Sequence, residues 1–282
     1  MFNLLRMDLY RMKRSKFIYI CFACLLLVIL LCYVMVYLVI TPKGQEIATK
    51  IGMVEIDTGH EISLAVADEK ESFNEKNALL ENVTLLDMYR ESNMDGGGYL
   101  VVFGIAVTLL VCGDYQGGFI KNIMTIHKER WTYIGGKLMA AGILNFLYLV
   151  LSFVFNMLMN LLFGNLVPAA PWGGLVFYLV WVWLVSMAFA ALIIMLCVFS
   201  RSTAIGVTGA ILLGSGLVVS ILSSITNQFN LSGWTEYTLY YNITYGPSAY
   251  TSMADLRAAA VGLVFLVLYS IVAGIALMKR DI

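Results

Sequence analysis

Six long apolar stretches alternate with polar segments along the 282 residues. They cover residues 17–40, 97–115, 138–163, 175–199, 204–225 and 254–278. A helix rises 1.5 Å per residue, so about 20 apolar residues cross the ~30 Å hydrocarbon core of a bilayer. Each stretch is thus predicted to be a transmembrane helix. The second is short, because Tyr99 to Cys112 supplies only 14 uninterrupted positions. It crosses only if helix continues through part of Gly96–Gly98 and on to Asp114 or Tyr115. The pattern predicts an all-α integral membrane protein with six spans, forming a single domain over 1–282.

The polar segments carry periodicities of their own. In 1–16, Phe2, Leu5, Leu9 and Met12 recur at helical spacing among basic residues, which predicts an amphipathic helix on the inner leaflet rather than a plain charged leader. The segment 41–96 is too long for a bare connector. Residues 51–56 and 62–66 alternate apolar and polar around Asp57-Thr58-Gly59-His60, a hairpin pattern. Leu79, Leu80, Val83 and Leu86 then predict a helix. A small extracellular α+β domain results, serving either ligand recognition or as an outer lid. Trp234, Tyr237, Tyr240, Tyr241, Tyr245 and Tyr250 concentrate in 227–253, as an interfacial aromatic belt or a re-entrant helical hairpin. In 116–137, Phe119, Ile120, Ile123, Met124 and His127 share one helical face. Lys121, Thr125, Lys128 and Glu129 occupy the other. Gly117-Gly118 and Gly135-Gly136 are expected to break this short helix from the spans on either side.

Composition supports the membrane assignment: 60% of residues are hydrophobic and 13% charged, far from a soluble domain. A formal net charge of zero conceals an asymmetry that orients the chain. Basic residues cluster before residue 17 (Arg6, Arg11, Lys13, Arg14, Lys16), in 116–137 (Lys121, Lys128, Arg130, Lys137), at Arg201, and at Lys279 and Arg280. The segment 41–97 instead carries 12 acidic against 5 basic residues. By the positive-inside rule that loop lies outside, and both termini and 116–137 are cytoplasmic. Arg257, at an outer end, is expected to snorkel toward Asp255. The first apolar stretch is longer than a signal h-region and ends in Thr41-Pro42-Lys43-Gly44, so it is expected to remain as an anchor. All five cysteines lie in spans, which argues against a disulfide framework.

No ionisable side chain falls well within a span, against ion-coupled transport or a charged channel filter. Polar residues do. Asn145, Ser152, Asn156 and Asn160 share one face of the third span, and Thr208 and Ser215 one face of the fifth. They form either a candidate translocation path or interhelical hydrogen bonds. Gly206, Ala210 and Gly214, like Ala254, Ala258 and Gly262, make small-residue stripes that predict close helix packing. Catalytic signatures are missing: Gly135-Gly136-Lys137 is not a phosphate loop, and His60 and His127 fall on opposite sides of the membrane. The basic clusters flank spans, so nucleic-acid binding is not indicated, and no metal site is suggested.

The segment 116–137 also carries a resemblance. Asp114-Tyr115-Gln116-Gly117-Gly118, Lys121-Asn122-Ile123, Glu129-Arg130-Trp131 and Gly136-Lys137 resemble the coupling segment of type-2 ABC transporter permeases. Met278-Lys279-Arg280-Asp281-Ile282 resembles the family's usual ending. The resemblance extends over the whole chain, although the usual coupling-helix proline is absent and the outer loop is larger. It implies a bacterial plasma-membrane permease subunit, itself not an enzyme, pairing with an identical or different permease subunit. Two copies of a cytoplasmic ATPase would bind ATP and Mg, leaving no cofactor in this chain. The coupling contact would involve Asp114, Phe119, Ile120, Lys121, Ile123, Met124, His127, Lys128 and Arg130. Peptide-immunity and multidrug export members suggest a peptide or other amphipathic substrate. An ATPase-linked sensor of an antimicrobial is the alternative.

Overall fold

The computed structural model describes residues 2–50, 83–120, 130–229 and 233–279, and among these every regular element is helical. Helix α1 (Phe2–Arg14) turns at Ser15 into α2 (Lys16–Ile40), and α3 (Pro42–Lys50) follows. After the described chain resumes come α4 (Leu85–Asn93) and α5 (Gly98–Gln116). Beyond 121–129 run α6 (Arg130–Leu162), α7 (Trp172–Ser200), α8 (Thr203–Gly214) and α9 (Leu217–Gln228). The short α10 (Leu239–Tyr245) and the long α11 (Leu256–Lys279) complete the fold. The predicted hairpin at 51–66, together with Leu79 and Leu80, lies outside the described residues.

Helices α2, α5, α6, α7 and α11 are each long and apolar enough to cross a membrane. The stretch 204–225 is not one continuous helix. Its halves, α8 and α9, meet at a 55° bend and reach spanning length only together. The break falls at Ser215-Gly216. Gly216 has φ 73°, a left-handed conformation open to glycine, and the Tyr240 ring packs where a Cβ would project.

Helices α5 and α7 are the most buried of the long helices, whereas α2 and α11 leave most of their apolar surface exposed, as lipid-facing helices do. Between helices in a bilayer there is little hydrophobic driving force, so close van der Waals contact must hold them. The stripe Gly206, Ala210 and Gly214 supplies it by packing α8 on α5. A Cβ on Gly104 would lie 2.9 Å from that of Ala210, and one on Gly214 would lie 3.0 Å from Val101 N. Helix α11 meets α7 in the same way, where a Cβ on Gly262 would come within 3.1 Å of Val185 Cγ2.

Side-chain contacts define the two ends of the bundle. At one end, Gln116 Nε2 donates to Thr203 Oγ1 at 2.6 Å, and Arg130 donates to the Leu277 and Met278 carbonyls at 2.6 and 2.9 Å. Helix α1 is fixed at this same end by the charged residues described below. At the other end Leu85 N–H donates to Pro168 O at 2.9 Å, and Arg90 reaches Thr244 O through two nitrogens at 2.8 and 3.0 Å. Trp181 Nε1 donates there to Pro247 O at 2.9 Å. The start of α1 and the end of α11 therefore lie on one side.

Two local expectations are corrected, and one predicted helix forms. Gly135-Gly136 does not break the helix; both residues lie inside α6. A helical glycine costs about 1 kcal/mol relative to alanine, and burial of Tyr133, Ile134 and Lys137 in the same turns outweighs it. The helix predicted through Val83 and Leu86 forms as α4, with Thr84 and Asp87 making a reciprocal capping box. Its Leu85, Leu86, Met88 and Tyr89 are buried in the bundle. Arg257 pairs with Glu236 at 2.6 Å and lies over the Tyr237 ring. Asp255 instead accepts from the Thr251 and Ser252 N–H groups, both at 2.7 Å.

Candidate functional site

The segment 116–137 begins at the end of α5 and finishes within the first turns of α6, with 121–129 outside the described residues. Helix α6 is 33 residues long, about 50 Å at 1.5 Å per residue, and therefore outruns a ~30 Å core. Its excess length carries Arg130, Tyr133 and Lys137 around the point where the segment rejoins the bundle. On the α5 side Gly117 ends the helix and Gly118, at φ 64°, turns the chain in a left-handed step. That glycine joint forms as expected.

The two sides are locked by a buried cluster of charges. Lys137 Nζ lies 2.7 Å from Asp8 Oδ1 on α1 and 2.6 Å from Asp114 Oδ2 on α5. Asp114 also pairs through Oδ1 with Arg11 of α1 and accepts from the Tyr133 hydroxyl at 3.0 Å. Lys137, Asp8 and Asp114 are 1%, 2% and 0% exposed. Two carboxylates thus face two cations. Isolated charges could not be buried at this depth; paired and hydrogen-bonded ones can. Burial still pushes the Asp8 carboxyl above its usual range, and Lys137 only partly offsets this. The product is a tie joining α1, α5 and α6 at the base of the segment.

The residues expected to form a coupling contact divide. Asp114 sits at the centre of the tie. Ile120 is buried, and Phe119 is half-covered, with the Arg11 guanidinium 5.5 Å from its ring centroid. These two apolar residues face the chain's own bundle. Arg130 holds the C-terminal carbonyls of α11. Lys121, Ile123, Met124, His127 and Lys128 lie outside the described residues.

The polar ladder on α6 is interior throughout. Asn145 accepts from the Tyr99 hydroxyl at 2.5 Å and donates to Ser186 Oγ and Trp183 O at 2.8 and 3.0 Å. Ser152 and the Tyr89 hydroxyl share a 2.9 Å hydrogen bond. Asn156 donates to Leu85 O at 3.3 Å, and Asn160 brackets Val167 through both its N–H and its carbonyl. Every rung therefore meets another segment, which favours the interhelical reading. Thr208 is exposed on α8 and donates to Ala204 O at 2.9 Å, while Ser215 marks the α8–α9 break.

Sequence reasoning passed over Asp8, Arg11, Tyr133 and Lys137 as site residues. One signal was available: Asp8 is the only acid among the basic residues of α1, one turn from both Leu4 and Met12 on the buried face. Lys137 reads in sequence as loop charge and as the end of the coupling-segment motif, with nothing to mark it as buried.

A bundle of long apolar helices, lipid-facing at its margins and tied by charge at one end, defines a multi-pass helical membrane protein. Comparison with protein families then matches residues 82–227 to the ABC-2 family transporter proteins. The chain belongs to that family, and is a membrane component of an ABC transporter rather than a catalytic subunit. The matched region holds Asp114, Tyr133 and Lys137; Asp8 and Arg11 precede it. Comparison with curated proteins finds no match.

Proposed function

We propose that this chain is a six-span permease subunit that moves a peptide or other amphipathic substrate out of, or away from, the membrane. ATP hydrolysis in separate cytoplasmic subunits supplies the energy, and the segment 116–137 receives it. Two permease subunits, alike or different, and two ATPase subunits make the complex. The observation that carries this reading is the charge tie. The sequence of 119–129, an amphipathic pattern too short to be a stable helix alone, joins two spans whose bases are fixed to each other and to α1. Ile123 and Met124, on the face that the sequence pattern makes apolar, are suited to a groove on the ATPase. A push delivered there is borne by α5, α6 and α1 together, since Lys137 and Asp114 hold them as one body. Thr208, on the outward face of α8, and Ser215 at the bend are the candidates for lining a path between two subunits. Their position beside a broken helix supports that role, as the irregular backbone of a membrane protein is tolerated where it faces protein or a cavity.

The orientation follows from charge. The end holding α1 and the base of 116–137 carries the basic clusters and would be cytoplasmic. Reconstitution of the chain with its ATPase in vesicles tests the function. ATP-dependent movement of a fluorescent amphipathic peptide is expected. Peptide-stimulated hydrolysis without movement would instead mark an ATPase-linked sensor.

A further inference from the structure

The bend between α1 and α2 encloses a feature that the transport reading does not use. A groove of about 250 Å³ runs between α1, α2 and α6, with walls that include Met12, Phe22, Leu144, Leu147 and Leu151. Its one charged lining residue is Lys13. The bend is held from both sides: the Tyr19 hydroxyl donates to Lys13 O at 3.0 Å, and the Tyr148 hydroxyl donates to Ile18 O at 2.7 Å. Lys13 is exposed where it lines the groove, and Arg14 and Lys16, also exposed, follow it at the bend. Among the described residues none of the three has a carboxylate partner, in contrast to Arg11 and Lys137 on the other face.

A cluster of cations beside a span needs no groove to explain it, since topology alone demands positive charge there. An apolar groove at a helix bend needs no cation, since any lipid tail can fill it. Their coincidence at one bend selects a ligand with an apolar tail and an anionic head. We infer that the groove is a binding site for an anionic phospholipid, with one acyl chain along Leu144, Leu147 and Leu151 and the phosphate headgroup on Lys13, flanked by Arg14 and Lys16. The site is independent of ATPase coupling and of the direction of transport. It places a lipid against the unpaired face of α1, opposite Asp8 and Arg11.

The test is competitive lipid retention. The purified chain is incubated with equimolar phosphatidylglycerol and phosphatidylcholine of identical acyl chains, and retained lipid is counted by native mass spectrometry. A cation at an anionic membrane surface is worth a roughly fivefold preference, so phosphatidylglycerol should be retained at least about fivefold over phosphatidylcholine. The variant Lys13→Gln/Arg14→Gln/Lys16→Gln should retain both lipids equally. Should that variant fail to insert, Lys13→Gln alone, at an exposed position, should lower the preference severalfold. Leu147→Trp/Leu151→Trp keeps every charge but fills the groove, and should lose the retained phosphatidylglycerol. Equal retention of the two lipids by the unaltered chain overturns the proposal, marking the groove as an ordinary part of the lipid annulus. Unchanged retention by the tryptophan variant also overturns it, because the cations would then bind headgroups without the groove. So does full displacement by glycerol phosphate at matched concentration, which would make the site one for a free anion.

Discussion

Lys137 Nζ lies 2.7 Å from Asp8 Oδ1 and 2.6 Å from Asp114 Oδ2, so one buried ammonium joins three helices. Removing it would leave two buried carboxylates with Arg11 alone, and breaking a buried pair from one side typically costs about 3–5 kcal/mol. Lys137→Met should therefore sharply lower the unfolding midpoint in detergent. Asp8→Asn should cost much less, because Lys137 keeps Asp114. A double-mutant cycle between the two positions measures the coupling directly. Equal, small losses for both variants would show that the tie does not hold α1.

The same cluster gives a pH dependence with a definite sign. Burial raises the Asp8 carboxyl above its usual range, with Lys137 lowering it only in part. Over a window of pH the folded chain thus keeps a proton that the unfolded chain has lost. Stability from this group is fully present below the ordinary carboxylate range and is lost as pH rises through the raised folded value. The difference in unfolding free energy between the unaltered chain and Asp8→Asn should accordingly fall from about pH 3.5 upward. Chemical denaturation of both at a series of pH values reads it, and a difference that grows with pH contradicts the assignment.

The segment 51–93 separates into two parts with different consequences. Replacing 51–82 with a short flexible linker removes none of α4. Deleting 51–93 removes α4, whose Leu85, Leu86, Met88 and Tyr89 are buried and whose Arg90 holds Thr244 O. The first variant should fold and reach the membrane in normal amounts; if 51–82 recognises substrate, it should lose only the substrate response. The second should aggregate or be degraded, since exposing such a core face costs several buried side chains at about 2–5 kcal/mol each. Gel filtration of the two variants distinguishes them. Equal behaviour would mean that α4 contributes nothing to the bundle.

What was legible in the sequence was whatever the bilayer imposes locally. Residues 17–40, 97–115, 175–199 and 254–278 fall within a few positions of α2, α5, α7 and α11, because a span must be long and apolar. The stripe Gly206, Ala210 and Gly214 announced its packing for a similar reason: close approach requires small residues. The bend at Ser215-Gly216 was harder to see, because apolar residues continue on both sides and only the glycine marks it. The Asp8–Lys137 pair was out of reach of local pattern. Its partners are 129 residues apart, and each alone looks like ordinary charge near a span. Helix α4 was seen as a helix, but its burial depends on contacts with Ser152, Asn156 and Tyr178 that no periodicity contains.

The central claim is that 116–137 delivers the work of an ATPase to this bundle. Ile123→Asp/Met124→Asp places two charges on the face that the sequence pattern makes apolar, while leaving every span and the whole Asp8–Asp114–Lys137 cluster intact. An unpaired charge at an apolar contact costs several kcal/mol, enough to undock a modest interface. Lys121→Ala, which alters only a rim charge, should be milder. The decisive measurement is co-purification of the ATPase with the double variant from membranes in which the permease is present at its usual level. Loss of the ATPase, together with loss of substrate-dependent ATP hydrolysis, is the predicted result. Retention of both the bound ATPase and substrate-dependent hydrolysis would contradict the claim and leave 116–137 as a surface helix without a coupling role.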